Sequence, residues 1–329
     1  TIGNSNVAIG KDAMLVNVGA DRNVAVGLGS LQSMTSATTL DTYNTAVGYA
    51  AGNAITTGVR NTVIGGLAGD GLIIDKDNVV VGYESLSAEN AGARNTAIGK
   101  GTLTVQQTTT QVTGGAYAAS GDATITHDTS TKPLVGQLVT SDKAGIPSGA
   151  TVLSVTDDTH FELSANTTSA QTGAIITLAG NVHAYNTAVG FQAGNDITTG
   201  INNTLMGGLA GDAITAGLDN TILGYNSGSS ITTGGYNILV GSLAGDALVS
   251  GDNNIALGYN AMGAANGSES RNVAIGTSAL GAMDSDASNY NVAIGYATGM
   301  NVTTGTTNTI MGAFAGDALT EGDGSVAVG

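Results

Sequence analysis

Three histidines, His127, His160 and His183, are the side chains of this sequence best suited to proton transfer near neutral pH. None stands beside a nucleophile motif. With no cysteine anywhere in the chain, thiol chemistry and disulfide stapling are both absent. Four aspartates recur in an Ala-Gly-Asp corner: Asp70, Asp212, Asp246 and Asp317. Three copies of such a corner around a symmetry axis can hold a cation through carboxylate oxygens. The plainer and favoured reading is that aspartate replaces asparagine at a turn, as at Asn53 and Asn195. Glycine pairs such as Gly27-Leu28-Gly29 follow a general repeat rule, which argues against a phosphate-binding loop. The calcium-binding nonapeptide of toxin repeats is not matched. Thr-Thr-Gly corners (Thr56-Thr57-Gly58, Thr198-Thr199-Gly200) raise the idea of an ice-binding face. Adjacent threonines on a strand point to opposite faces, however, and only four coils have them. Glycan cleavage needs carboxylate pairs facing one groove, which spacing in one chain does not reveal. The expectation is therefore a protein that is not an enzyme and carries no cofactor.

The remaining candidate is a lateral binding patch formed by His127, Lys132, His160 and Phe161, in a stretch unlike the rest of the chain. Whatever these residues do, the elements that carry them are set by an unusual composition. The 329 residues include 51 glycines, 2 prolines and no tryptophan; 41 % are hydrophobic but only 4 % aromatic. Low charge with high aliphatic content argues against disorder. Glycine does not recur every third residue, which excludes collagen. No apolar run is long enough for a membrane-spanning helix. The net charge of −16 argues against a nucleic-acid partner. It is lopsided: residues 144–329 carry Arg271 alone against 14 acids. The chain opens on Thr1-Ile2-Gly3 with no initiator methionine or signal peptide, so it reads as a mature or excised segment.

Internal repetition is the dominant signal. Asn44-Thr45-Ala46-Val47-Gly48 returns at Asn61, Asn78 and Asn95, each time 17 residues on, and the array has 14 asparagine-opened copies from Asn6 to Asn308. The first position, asparagine, tolerates a left-handed corner and can stack into a hydrogen-bonded ladder. The fourth is always a large aliphatic, the fifth always glycine and the eighth always small, so something packs tightly against that last column. The ninth is Leu or Met in some coils (Leu31, Leu86) and glycine in others (Gly52, Gly69). Coils containing Gly48-Tyr49 or Gly190-Phe191 precede Leu-Ala-Gly-Asp coils, a weaker period of about 34 laid over the 17.

Period-2 alternation with β-branched residues predicts one short strand per coil plus a weaker second one. Recurrent glycine and short apolar runs exclude helices. The expected class is all-β: a parallel β-roll or β-solenoid of about 17 residues per coil, roughly 70 Å long at about 4.8 Å per coil. The third column bears on assembly. It points opposite to the fourth yet is also aliphatic, so one face fills the coil and the other meets another chain, most simply in a homotrimer. The repeat vanishes between Leu103 and Val182. Strand-like segments there include 151–155, 160–163 and 174–178, with Asp157-Asp158 as a turn. The predicted organisation is a roll over 1–111, a small β-sandwich-like insert over 112–180 and a second roll over 181–329.

Asn272-Val273-Ala274-Ile275-Gly276 with Ser278-Ala279 resembles the head repeats of trimeric autotransporter adhesins. The variant Asn-Thr-Ala-Val-Gly-Tyr-x-Ala-Gly, with Thr-Thr-Gly later in the coil, is more similar to repeats of bacteriophage tail fibres. The insert from Gly145-Ile146-Pro147-Ser148-Gly149 to Leu163-Ser164 resembles a β-module of phage virion proteins. The resemblance implies a left-handed parallel β-roll trimer with a distal tip or chaperone domain that these residues do not contain. On that reading the chain is a shaft segment of a virion tail fibre. Its partners would be its own copies, other tail proteins and, through the tip, a host-surface glycan or protein. There would be no insertion into the membrane. The alternative is the head of a bacterial surface adhesin, extracellular, that binds host or matrix directly.

Overall fold

A computed structural model describes residues 3–87, 92–105, 109–117, 122–127, 138–147, 150–157, 159–179, 184–265, 267–285 and 288–329. Among them there is no helix. Fifteen three-residue strands, from Val7–Ile9 to Val326–Val328, form one parallel sheet in chain order, in register from coil to coil. The chain is thus a parallel β-solenoid with the 17-residue spacing read from the sequence.

Asparagine builds the spine. In every coil from the second onward, the residue opening the strand donates its backbone N–H to the Oδ1 of the asparagine one coil earlier, at 2.8–3.2 Å. At Asn78, Asn203, Asn220 and Asn237 the side-chain Nδ2 donates as well, both to that oxygen and to a glycine carbonyl at the far corner, as Asn220 does to Asn203 (3.1 Å) and Gly234 (2.9 Å). These amides are buried, so each bond avoids the cost of an orphaned polar group. The left-handed corner lies one residue earlier than expected. The residue before each asparagine, such as Tyr43, Arg60 or Asn202, has φ between 50 and 63°. Asparagine itself stays extended, because its amide must point inward to reach the ladder.

The fifth-column glycines have φ of 118–143° and stack carbonyl over Cα. A Cβ on Gly224 would lie 2.6 Å from the carbonyl carbon of Gly241, so glycine is required here for close approach as well as for torsion.

The third column faces the coil interior, and the fourth faces out. Ala46, Val63, Leu205 and Ile222 are fully buried, whereas Val47, Ile64 and Met206 are 36–45 % exposed. This reverses the assignment in which the third column served assembly. Interior volume explains why. Where the ninth residue is Leu or Met, the third is almost always alanine (Ala25, Ala97, Ala274); where the ninth is glycine, a large aliphatic three residues later, such as Ile55, Ile214 or Leu248, fills the space. A Cβ on Gly211 would stand 2.7 Å from Ile214 Cδ1, and one on Gly194 2.7 Å from Leu205 Cδ1. The two forms of the ninth column are therefore two ways of filling one narrow core. The eighth column, including Ala51, Ser85 and Ala193, is buried in the same interior.

Among the described residues the expected second strand forms near the start, where Val18–Asp21 pairs in parallel with Thr35–Asp41, and is reduced to one isolated bridge at Ser270 and Ser288. Elsewhere among the described residues that side is held by single coil-to-coil bonds. The first threonine of Thr-Thr-Gly donates both N–H and Oγ1 to the next coil's carbonyl, as Thr198 does to Thr215 (2.9 and 3.0 Å). Those corners are stitches.

The insert leaves the roll unbroken, because Thr96–Ile98 pairs directly with Thr187–Val189. It forms one six-stranded antiparallel sheet whose spatial order is Leu138–Ser141, Gln171–Ala179, Thr109–Tyr117, Thr124–Thr126, His160–Leu163, Val152–Asp157. Its core is separate and holds Phe161, Ile125, Leu163, Ile176 and Leu178.

Candidate functional site

The expected lateral patch does not assemble as a surface. Phe161 is fully buried and His127 is 4 % exposed, their rings 5.6 Å apart in the insert core. Lys132 lies outside the described residues, as does His183. Only His160 reaches solvent. In His160-Phe161-Glu162-Leu163 the side chains alternate, so Phe161 and Leu163 turn inward and His160 and Glu162 outward.

His160 edges an open cleft of about 350 Å3, whose other walls include Tyr117, Asp122, Thr124, Thr126 and Gln171. Its Nδ1 lies 2.9 Å from Asp157 Oδ1 and 2.8 Å from Thr159 Oγ1. The His160 contact, followed by the Thr159 amide and hydroxyl, holds the Asp157 carboxyl far below the ordinary range. Asp122 is lowered likewise by the Thr124 amide and hydroxyl. A proton relay needs the two imidazole nitrogens on different partners. Here carboxylate and hydroxyl share one nitrogen, so the group braces a turn.

Of the Ala-Gly-Asp corners, Asp70, Asp212 and Asp246 are half-buried and Asp317 is exposed. In the first three, Oδ1 is buried with no hydrogen-bond partner among the described residues. Burial raises all three carboxyls, and backbone amides of the same corner oppose the shift. Nearby acids add to it, Glu84 at Asp70 and Asp196 at Asp212. The coil between Asp212 and Asp246 presents Ser229, so these carboxylates stand about 9.6 Å apart along the axis. A shared cation needs oxygens within about 2.6 Å of itself. Within one chain the column does not provide that. No group of three or more His, Asp or Glu able to hold a metal occurs among the described residues.

What the roll does present is its outer sheet face. The second and fourth columns point outward along all fifteen strands, with Ile9, Ile64, Ile238 and Met311 between 40 and 59 % exposed. Two further exposed columns flank them. The column before asparagine carries Arg22, Arg60, Arg94 and Arg271. Arg60 donates to Asp77 (2.5 and 3.0 Å), which lowers the Asp77 carboxyl. Arg94 and Arg271 sit 5.7 and 5.5 Å from the ring centres of Tyr185 and Tyr290. The sixth column, beyond the glycine bend, carries Tyr49, Tyr83, Phe191, Tyr225, Tyr259 and Tyr296, all about half exposed. Reading the repeat for its invariant columns passed over this one, because it alternates; the 34-residue period was its trace.

No known family, no curated protein and no solved structure matches the chain. Among the described residues no helix is long and apolar enough to cross a membrane.

Proposed function

We propose that this chain is a structural shaft segment of a homotrimeric bacteriophage tail fibre, one that holds a host-recognition tip away from the particle. The observation that carries the reading is the outward fourth column, apolar in every coil and running the length of an in-register roll. A continuous apolar face of this extent is rarely left to water in a soluble protein. Two further copies of the same chain, aligned along the same axis, cover it at every coil with the same side chains. The chemistry asked of such a segment is mechanical, and the buried asparagine ladder and stacked glycines serve it by tying each coil to the next. Its partners would be its own copies and the neighbouring proteins of the tail.

The test is the mass of the purified segment by sedimentation or light scattering, before and after mild denaturant. A resistant species of three chains is expected; a 32.2 kDa monomer overturns the reading. The second reading, a bacterial adhesin head that binds through the roll itself, is favoured by the exposed sixth-column rings. Antibodies against the roll separate the two: they label virion tails if the first is right and bacterial surfaces if the second is.

A further inference from the structure

The sixth column alternates without a fault over twelve coils. Aromatic residues stand at Tyr49, Tyr83, Phe191, Tyr225, Tyr259 and Tyr296, and the coils between them carry glycine, serine, threonine or alanine, with Lys100 the one long exception. The phase survives the insert, because the strand at 96–98 pairs directly with that at 187–189, leaving Tyr83 and Phe191 two coils apart. It also survives the longer loops before Asn272 and Asn291. A column that packed only against itself has no need of such regularity. All six rings are 49–61 % exposed. Tyr225 and Tyr83 lie over the glycine of the preceding coil: a Cβ on Gly208 would touch Tyr225 Cδ2 at 3.6 Å, and one on Gly66 would touch Tyr83 Cδ2 at the same distance. Lys100 Nζ stands 5.9 Å from the Tyr83 ring centre, and Tyr296 meets Phe314 edge-on at 5.2 Å.

Coils rise about 4.8 Å each, so successive rings recur every ~9.6 Å over a row of roughly 48 Å. That spacing is close to, and slightly shorter than, the length of one disaccharide in an extended β-1,4-linked chain. In such a chain each sugar is turned over relative to the next, so the same apolar C–H face returns once per disaccharide. Aromatic faces stack on that surface, and tyrosine adds a hydroxyl at its rim. Ser242 and Thr277 supply further hydroxyls between rings. The charge limits the choice of glycan, since residues 144–329 hold Arg271 alone against 14 acids and repel polyanions.

We infer that the sixth column is a binding track for an uncharged β-1,4-linked glycan, of glucose or N-acetylglucosamine, lying parallel to the roll axis. The inference does not depend on which particle or cell bears the roll; it requires that the rings stay open in the assembled protein. Sites in a row act together, so affinity rises steeply with oligosaccharide length.

The experiment titrates the assembled protein with chitohexaose and with cellohexaose, using calorimetry, and records the mass of each sample alongside. The two sugars distinguish the N-acetylated from the plain glucan. Binding of at least one is expected, stronger than that of its disaccharide. Tyr225→Ala with Tyr259→Ala should weaken it roughly tenfold or more, while the thermal midpoint stays put because the rings are exposed. Tyr236→Ala with Tyr290→Ala, in the column before asparagine, should leave it unchanged. The inference is overturned if neither hexasaccharide binds, if the Tyr225/Tyr259 variant binds as the parent does, or if maltohexaose, whose α-1,4 links coil the chain, binds equally well. A three-chain species that ignores both sugars sinks the track alone, whereas a monomer that binds them sinks the shaft and keeps the track.

Discussion

The roll and the insert are both β-structures made from one chain, yet they are held together in different ways. In the roll every coil lends the next an asparagine amide and a glycine carbonyl, and several coils add a threonine stitch. In the insert the strands are antiparallel and paired out of chain order, around Phe161, Tyr117 and their aliphatic neighbours. The roll is a one-dimensional stack whose stability is a sum of near-neighbour terms. The insert is a small globule with a single core. The roll therefore tolerates an excursion between coils but no change to a column, and the insert tolerates change at its surface but not at its centre.

That contrast can be broken most forcefully at a stacked glycine. Gly224→Val places branched carbon against the Gly241 carbonyl at a φ of 143°, and should cost about 4 kcal/mol or more, visible as a collapse of the roll's thermal transition. If the loss matches that of Gly173→Ala in the insert, where the nearest atom to a Cβ is Lys143 Nζ at 3.9 Å, the column argument fails. Next in size, Phe161→Ala should destabilise the insert by about 3 kcal/mol while leaving the roll's transition where it was. A single shared transition that moves as one would show the two regions to be one cooperative unit.

Asn220→Ala tests the spine at a smaller cost. It removes the acceptor of the Asn237 N–H (3.0 Å) and the donor to the Gly234 carbonyl (2.9 Å), both in buried surroundings. A loss of about 2 kcal/mol is expected by chemical denaturation, against a few tenths for a surface threonine of the insert. A neutral result would mean that water replaces the ladder.

The smallest effect has a sign that differs between the half-buried corner aspartates of the roll and the hydrogen-bonded turn aspartates of the insert. Asp70, Asp212 and Asp246 have folded carboxyl pKa values raised by burial. The folded roll then binds more protons than the unfolded chain, so their contribution to stability falls as pH rises through the raised values and is most favourable below the ordinary carboxyl range. In the insert Asp157 and Asp122 are lowered, so their contribution is present above that range and is lost as pH falls. Acidification from pH 7 toward about 4 should thus favour the three corner carboxyls, whereas the loss at Asp157 and Asp122, and at the likewise lowered Asp77 and Asp323 of the roll, falls mostly below about pH 4. Asp212→Asn should raise the roll's melting temperature at pH 7, and the gap to the parent should close near pH 4. A gap independent of pH would assign the gain to something other than the buried charge.

The coil length, the strand position and the asparagine ladder were all legible in the sequence, because each repeat column sits in one environment and keeps one residue type. The facing of the third and fourth columns was not, since both are aliphatic. The clue lay in volume: Ala25 and Ala97 accompany Leu31 and Leu103, whereas Leu205 and Ile222 accompany Gly211 and Gly228. The left-handed corner was assigned to asparagine, a residue that favours such torsions, although tyrosine, arginine and threonine occupy it here. Stacking with the coils on either side overrides local preference. In the insert, strand alternation alone puts His160 and Phe161 on opposite faces, which already separates two members of the proposed patch. Its cleft was not legible, because Asp122, Gln171 and His160 meet only through antiparallel pairings far apart in the chain.

Because the insert leaves between neighbouring coils and comes back to the same place, chain length and physical reach are uncoupled in this molecule. Residues 112–180 add mass at one height and nothing to the span. Each 17 residues of repeat add about 4.8 Å, and each pair of coils about 9.6 Å with the aromatic rhythm kept. A gene that gains or loses repeats in even numbers would lengthen or shorten such a rod in fixed steps of about a nanometre, like links on a ruler, without redesigning any surface it displays.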